Sequence, residues 1–132
     1  MLAAMRTEPN RCDDSGVRPT VLIVDDHADF RASARALLEL QGFEVVGDVE
    51  DGDAALAAAE RLRPDVVLLD VQLPGIDGFE VADRLAAIEP RPRVILISSR
   101  RRSAYEVRLP TAPIAGFLGK HELSGPALAA LM

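Results

Sequence analysis

Cysteine is almost missing from this chain. Cys12 stands alone among 132 residues, so no internal disulfide can form and a reducing compartment is expected. Aromatic residues make up 4% while hydrophobic residues make up 48%, so Ala, Val, Leu and Ile must build the interior. No apolar run approaches the length of a membrane span. The opening Met1-Leu2-Ala3-Ala4-Met5 turns polar too soon to be a signal-peptide core. A cytoplasmic protein without membrane contact is the expectation. Basic charge is short as well: 15 Lys and Arg against 21 Asp and Glu leave a net charge of −6. That is the wrong sign for a general binder of phosphate backbones, and no DNA binding by this chain is expected. Scarcest of the charged residues is lysine, with Lys120 alone beside fourteen arginines. A lysine that persists against such a bias suits a position that needs an amine; the plain alternative is a surface lysine.

What is present is organised around residues 66–78. Val66-Val67-Leu68-Leu69 has no polar alternation, which marks a strand buried on both faces of a parallel sheet. It runs straight into Asp70, and Pro74-Gly75 and Asp77-Gly78 then force a turn-rich loop. Ligands of open α/β sheets bind at the carboxyl ends of the strands, so Asp70 is placed for chemistry. The bland reading is a strand-end aspartate that caps a turn.

Residues 1–19 mix charges, prolines and Gly16 without periodicity and read as a disordered tail, leaving 20–132 as one domain. Residues 20–24 form a second apolar strand that ends in Asp25-Asp26. Helical spacing covers about 28–41, with Gly42 as the stop. The half-polar stretch 44–49 reads as a strand nearer an edge. A helix over about 53–63 is ended by Pro64. Asp77 is the expected N-cap of a third helix, whose inner face is Phe79, Ala82, Leu85, Ala86 and Ile88 and whose end is Pro90-Arg91-Pro92. Residues 94–97 are a fourth apolar strand leading to Ser98-Ser99. From 103 to 109 the helical signal is weak. Pro110 forbids continuation, so a stop by about Leu109 and an extended connector over 110–113 are expected. A fifth strand, 114–118, leads to Lys120, and 124–132 is a short last helix.

Five strands alternate with helices through short connections. This predicts an α/β, flavodoxin-like, doubly wound parallel sheet of order 2-1-3-4-5 with helices on both faces, the fourth helix being short or irregular. In that order Asp25, Asp26, Asp70, Ser98 and Lys120 converge on one crevice. Three carboxylates close together repel one another and call for a cation. Mg²⁺, which takes oxygen ligands, suits them. A carboxylate can also be the nucleophile that becomes an aspartyl-phosphate, with Mg²⁺, the Lys120 ammonium and the Ser98 hydroxyl each serving one phosphoryl oxygen.

At Val24-Asp25-Asp26-His27, at Leu69-Asp70-Val71-Gln72-Leu73-Pro74-Gly75-Ile76-Asp77-Gly78, at Ile97-Ser98-Ser99 and at Gly116-Phe117-Leu118-Gly119-Lys120 the chain resembles the receiver domain of bacterial two-component response regulators. The resemblance covers about residues 20–132. It implies that Asp70 is the phosphoacceptor and that Asp25, Asp26, Asp70 and the backbone carbonyl of Gln72 hold Mg²⁺. It also implies that Ser98 and Phe117 form a switch pair and that Lys120 contacts the phosphoryl group. The implied partners are a sensor histidine kinase or phosphotransfer protein and a downstream protein that reads the switch. The implied chemistry is self-catalysed transfer, not enzymatic turnover. Gln72 and Arg100 would flank the attacking water and tune phosphate lifetime; Arg100-Arg101-Arg102 otherwise reads as a solvated loop.

One departure concerns Pro113-Ile114, which stands where the family commonly has Gly-Ala. It removes the usual helix end and with it part of the usual partner face. An aspartate-nucleophile phosphatase would carry a second aspartate where Gln72 stands. A nucleotide binder would meet its phosphates with Asp25-Asp26. The alternative from another class is a phosphorylation-independent interaction module of the same fold, favoured by the odd fourth helix and opposed by the intact site residues. The chain stops within or just after its last helix, which fits a stand-alone receiver or a piece of a longer protein.

Overall fold

Five short strands carry the fold, and their apolar runs explain the layers. The computed structural model describes residues 18–132; the tail expected over 1–19 lies, up to residue 17, outside the described residues, and so does Cys12. The order is β1 Thr20–Val24, α1 Ala28–Leu40, β2 Glu44–Val49, α2 Gly52–Leu62, β3 Val66–Asp70, α3 Gly78–Leu85, β4 Arg93–Ser98, β5 Gly116–Gly119 and α4 Gly125–Ala130. The strands form one sheet in the order β2-β1-β3-β4-β5, every pair parallel, as the alternation predicted. The half-polar β2 lies at an edge, and every residue of the central β3 is buried.

The pleat sorts side chains to two faces. Leu22, Val24, Val67, Leu69, Val94 and Leu96 pack with Ala55, Ala59, Phe79, Val81 and Leu85 from α2 and α3. Val21, Ile23, Val66, Leu68, Ile95 and Ile97 pack with Ala34 and Leu38 of α1 and Leu128 of α4. Helix starts are capped from the sequence: Asp51, Asp77 and Ser124 accept the N–H groups of Ala54, Glu80 and Ala127 at 2.8, 3.0 and 3.1 Å. Among the described residues no helix is long and apolar enough to cross a membrane.

Three expectations are corrected. α3 ends at Leu85, ahead of the prolines, because its last turn tightens: Ala87 and Ile88 donate to the carbonyls of Arg84 and Leu85 at 3.2 and 3.1 Å. β5 starts at Gly116, not at 114, because the Ile114 N–H turns back onto the Ala112 carbonyl at 2.9 Å. Between β4 and β5 the fourth helix is irregular, as expected, consisting of two 3₁₀ turns, Arg102–Tyr105 and Leu109–Thr111, but the connector expected over 110–113 is not extended throughout. Pro110 sits inside the second turn, where its fixed φ fits and no N–H is required. Extended backbone therefore starts only at Ala112, with φ −76° and ψ 140°.

Candidate functional site

Three buried polar residues lie at the carboxyl edge of the sheet: Asp25, Asp70 and Ser98. Strand parity divides them. Asp25 continues the face of Val21 and Ile23, and Asp70 that of Val66 and Leu68, so both lie on the side of α1. Ser98 continues the face of Val94 and Leu96 and lies on the side of α3.

Lys120, just past β5, reaches back over this edge. Its ammonium is 2.6 Å from Asp25 Oδ2 and 3.3 Å from Asp70 Oδ2. It lies 4.7 Å from the ring centroid of Phe30 on α1, a cation–π placement that shields one side. Burial and the Asp25 charge push the Asp70 carboxyl above its ordinary pKa, against the pull of the Gln72 N–H and of Lys120. For Lys120, burial acts to lower its pKa, but Asp25 and Asp70 outweigh it and hold the ammonium protonated above its ordinary value.

Asp25 also serves the loop after β1. Its Oδ1 accepts the His27 N–H at 2.8 Å. The His27 ring turns to the same place, with Nδ1 at 3.0 Å from Asp25 Oδ1 and 3.1 Å from Asp26 Oδ1. Ligand atoms of Asp25, Asp26, His27 and Asp70 all lie within 4.8 Å of one another. Asp25 Oδ2 is buried and accepts no hydrogen bond of good geometry, the Lys120 ammonium beside it being an ionic contact. Three carboxylates, one with an under-bonded oxygen, suit a hard divalent cation.

Two further elements fix the site. Arg31 of α1 donates to the Asp25 carbonyl at 2.7 Å and to Asp48 of β2 at 3.0 Å, which ties β1, β2 and α1 together beside the carboxylates. Gly78 lets the start of α3 close on the end of β3: its N–H donates to the Val71 carbonyl at 2.8 Å. A Cβ at Gly78 would run into the Asp70 carbonyl oxygen and the Val71 backbone. Gln72, expected as a ligand through its carbonyl, donates its N–H to Asp70 Oδ1 at 3.1 Å.

Ser98 is engaged elsewhere. Its Oγ accepts the Arg100 N–H at 2.9 Å and shares a hydrogen bond with the Tyr105 hydroxyl at 3.0 Å. The Tyr105 ring stands between Phe79 and Phe117, with centroids 5.9 Å away on each side. Thus Asp25, Asp26, Asp70 and Lys120 come together, while Ser98 and Phe117 meet through Tyr105. Sequence reasoning gave no role to Tyr105 or to the His27 side chain. Their signals were slight: Tyr105 is the chain's one tyrosine, and His27 follows two aspartates at a helix start.

The sequence model of the response regulator receiver domain matches residues 21–130. BvgA of Bordetella pertussis is 38% identical over 102 residues, 77% of this chain and 49% of that protein. The response regulator GacA of Pseudomonas aeruginosa is 38% identical over 101 residues, 76% of this chain and 47% of that protein. The chain therefore spans about half the length of these curated relatives. Among solved structures, the signal receiver domain of NarL from Mycobacterium tuberculosis superposes with a TM-score of 0.77 at 35% identity, covering 86% of this chain and 96% of that one.

Proposed function

The chain belongs to the response regulator receiver domain family, and on that premise we propose that Asp70 accepts a phosphoryl group from a phosphohistidine of a sensor kinase or phosphotransfer protein. The observation that carries the reading is the Lys120 ammonium, 2.6 Å from Asp25 and 3.3 Å from Asp70 at the carboxyl edge of the sheet.

A carboxylate oxygen of Asp70 attacks phosphorus while the P–N bond of the donor breaks, its electron pair leaving on the imidazole nitrogen. Lys120 holds a fixed positive charge beside that oxygen, so charge on the transferring group is met without reorganisation. Mg²⁺ held by Asp25, Asp26, Asp70 and the Gln72 carbonyl would, when bound, neutralise further negative charge and favour the ionised form of Asp70. Ser98 serves as the switch. To reach a phosphoryl oxygen it must leave Tyr105, and the row of Phe79, Tyr105 and Phe117 then repacks. The segment bearing Tyr105 is the surface a downstream protein would read. The phosphorylation-independent alternative draws no support from a site whose three carboxylates and one amine are gathered at the carboxyl edge of the sheet.

Incubation with acetyl phosphate and Mg²⁺ should add about 80 Da, one phosphoryl group, to the wild-type chain and nothing to Asp70→Asn. Undiminished labelling of the variant would overturn the assignment.

A further inference from the structure

The His27 ring has no other visible occupation. His27 is the N-cap residue of α1, yet its side chain makes no capping hydrogen bond. Its side chain is 68% exposed, so core packing does not orient it. What orients it is the pair of carboxylate oxygens, one from each preceding aspartate, at 3.0 and 3.1 Å from Nδ1.

That spacing has a second meaning. Around an octahedral ion with bonds of about 2.1 Å, neighbouring donor atoms lie about 3.0 Å apart. A ring nitrogen set beside two carboxylate oxygens can give its lone pair to a cation held between them when the ring hydrogen is on Nε2. Imidazole nitrogen adds little for Mg²⁺, which seeks oxygen, but much for the divalent ions of the first transition row.

We propose that His27 is a nitrogen ligand of this centre that raises its affinity for divalent transition-metal ions relative to Mg²⁺. The proposal rests on reading Asp25, Asp26 and Asp70 as a metal site. His27 adds a borderline donor to a carboxylate set, so ions such as Co²⁺, Ni²⁺ and Zn²⁺ bind it more tightly than Mg²⁺. Carboxylates alone already favour these ions, and His27 widens the difference.

Calorimetric titration of the full chain with Co²⁺ and with Mg²⁺, for wild type, His27→Ala and His27→Phe, tests this. Circular dichroism confirms that each variant is folded, and the visible absorption of bound Co²⁺ gives an independent readout. Both variants should lose at least about tenfold in Co²⁺ affinity and change the Co²⁺ spectrum, while Mg²⁺ affinity stays within about twofold. Co²⁺ affinity within about twofold of wild type, or an equal loss for both ions, would overturn the role of His27 while leaving the carboxylate site standing. If wild type bound neither ion, the reading of the carboxylates as a metal site would fall, and this inference with it.

Discussion

At the scale of single residues, the function proposed for Asp70 conflicts with stability. Its side chain is 5% exposed, and its carboxyl faces Asp25 as well as Lys120. Burial and the neighbouring charge raise its folded pKa above the unfolded value. A raised acid weakens the folded state once ionised: the penalty grows as pH climbs from the unfolded pKa through the folded one, and is full above it. In metal-free buffer at neutral pH, Asp70→Asn should therefore melt several degrees higher than wild type, and the gain should fade in acid. Thermal melts with a chelator across that range would show it. A lower melting temperature for the variant at neutral pH would mean that the Lys120 contact outweighs burial.

Among the elements, the segment between β4 and β5 departs most from a doubly wound plan. Two 3₁₀ turns replace a helix, so few backbone hydrogen bonds hold it. Its anchors are the buried Leu109 and the Tyr105 ring. The Tyr105 hydroxyl also occupies Ser98, which couples the segment's position to the group that, in the proposed function, turns toward Asp70. Tyr105→Phe keeps the ring and deletes the bond. A hydrogen bond of this kind contributes about 1 kcal/mol, which corresponds to about fivefold in an equilibrium. Tyr105→Phe should thus bind beryllofluoride several-fold more tightly in a fluorescence or NMR titration. Unchanged or weaker affinity would show that the hydroxyl does not restrain Ser98.

Over the whole molecule, the two faces of the sheet are unequally covered. α1, α2 and α3 are full helices, but α4 has six residues, a length of about 9 Å. On the opposite face, with α2 and α3, the 3₁₀ segment stands in place of a helix and leaves Val107 91% exposed, near Arg102 and Arg108 stacked on Phe117 and Phe79. A stable interface needs about 1,000 Å² of well-packed surface, and this face presents one apolar side chain among arginines. Activation with beryllofluoride should leave the chain monomeric on a sizing column at tens of micromolar. A dimer that mutations in residues 102–119 remove would overturn this.

Sequence alone determined the strands and what stands at their ends. Continuous apolar runs such as 20–24 and 66–69 are tolerated in water-soluble proteins only when both faces are covered, so they demanded a parallel sheet. The polar residues that end those runs, Asp25, Asp70 and Ser98, could then lie only at its carboxyl edge. Capping aspartates and the breakers Gly42 and Pro64 are local signals, and they set most helix boundaries. Only the tertiary structure decided which of these groups meet. Asp25, Asp70 and Lys120 join because strand parity sends the two carboxylates to one face and the chain after β5 returns across it. Ser98 is sent to the other face and meets Tyr105. Such contacts link residues distant along the chain, and they depend on pleat direction and on how an irregular segment packs, neither of which leaves a periodic trace in the order of amino acids.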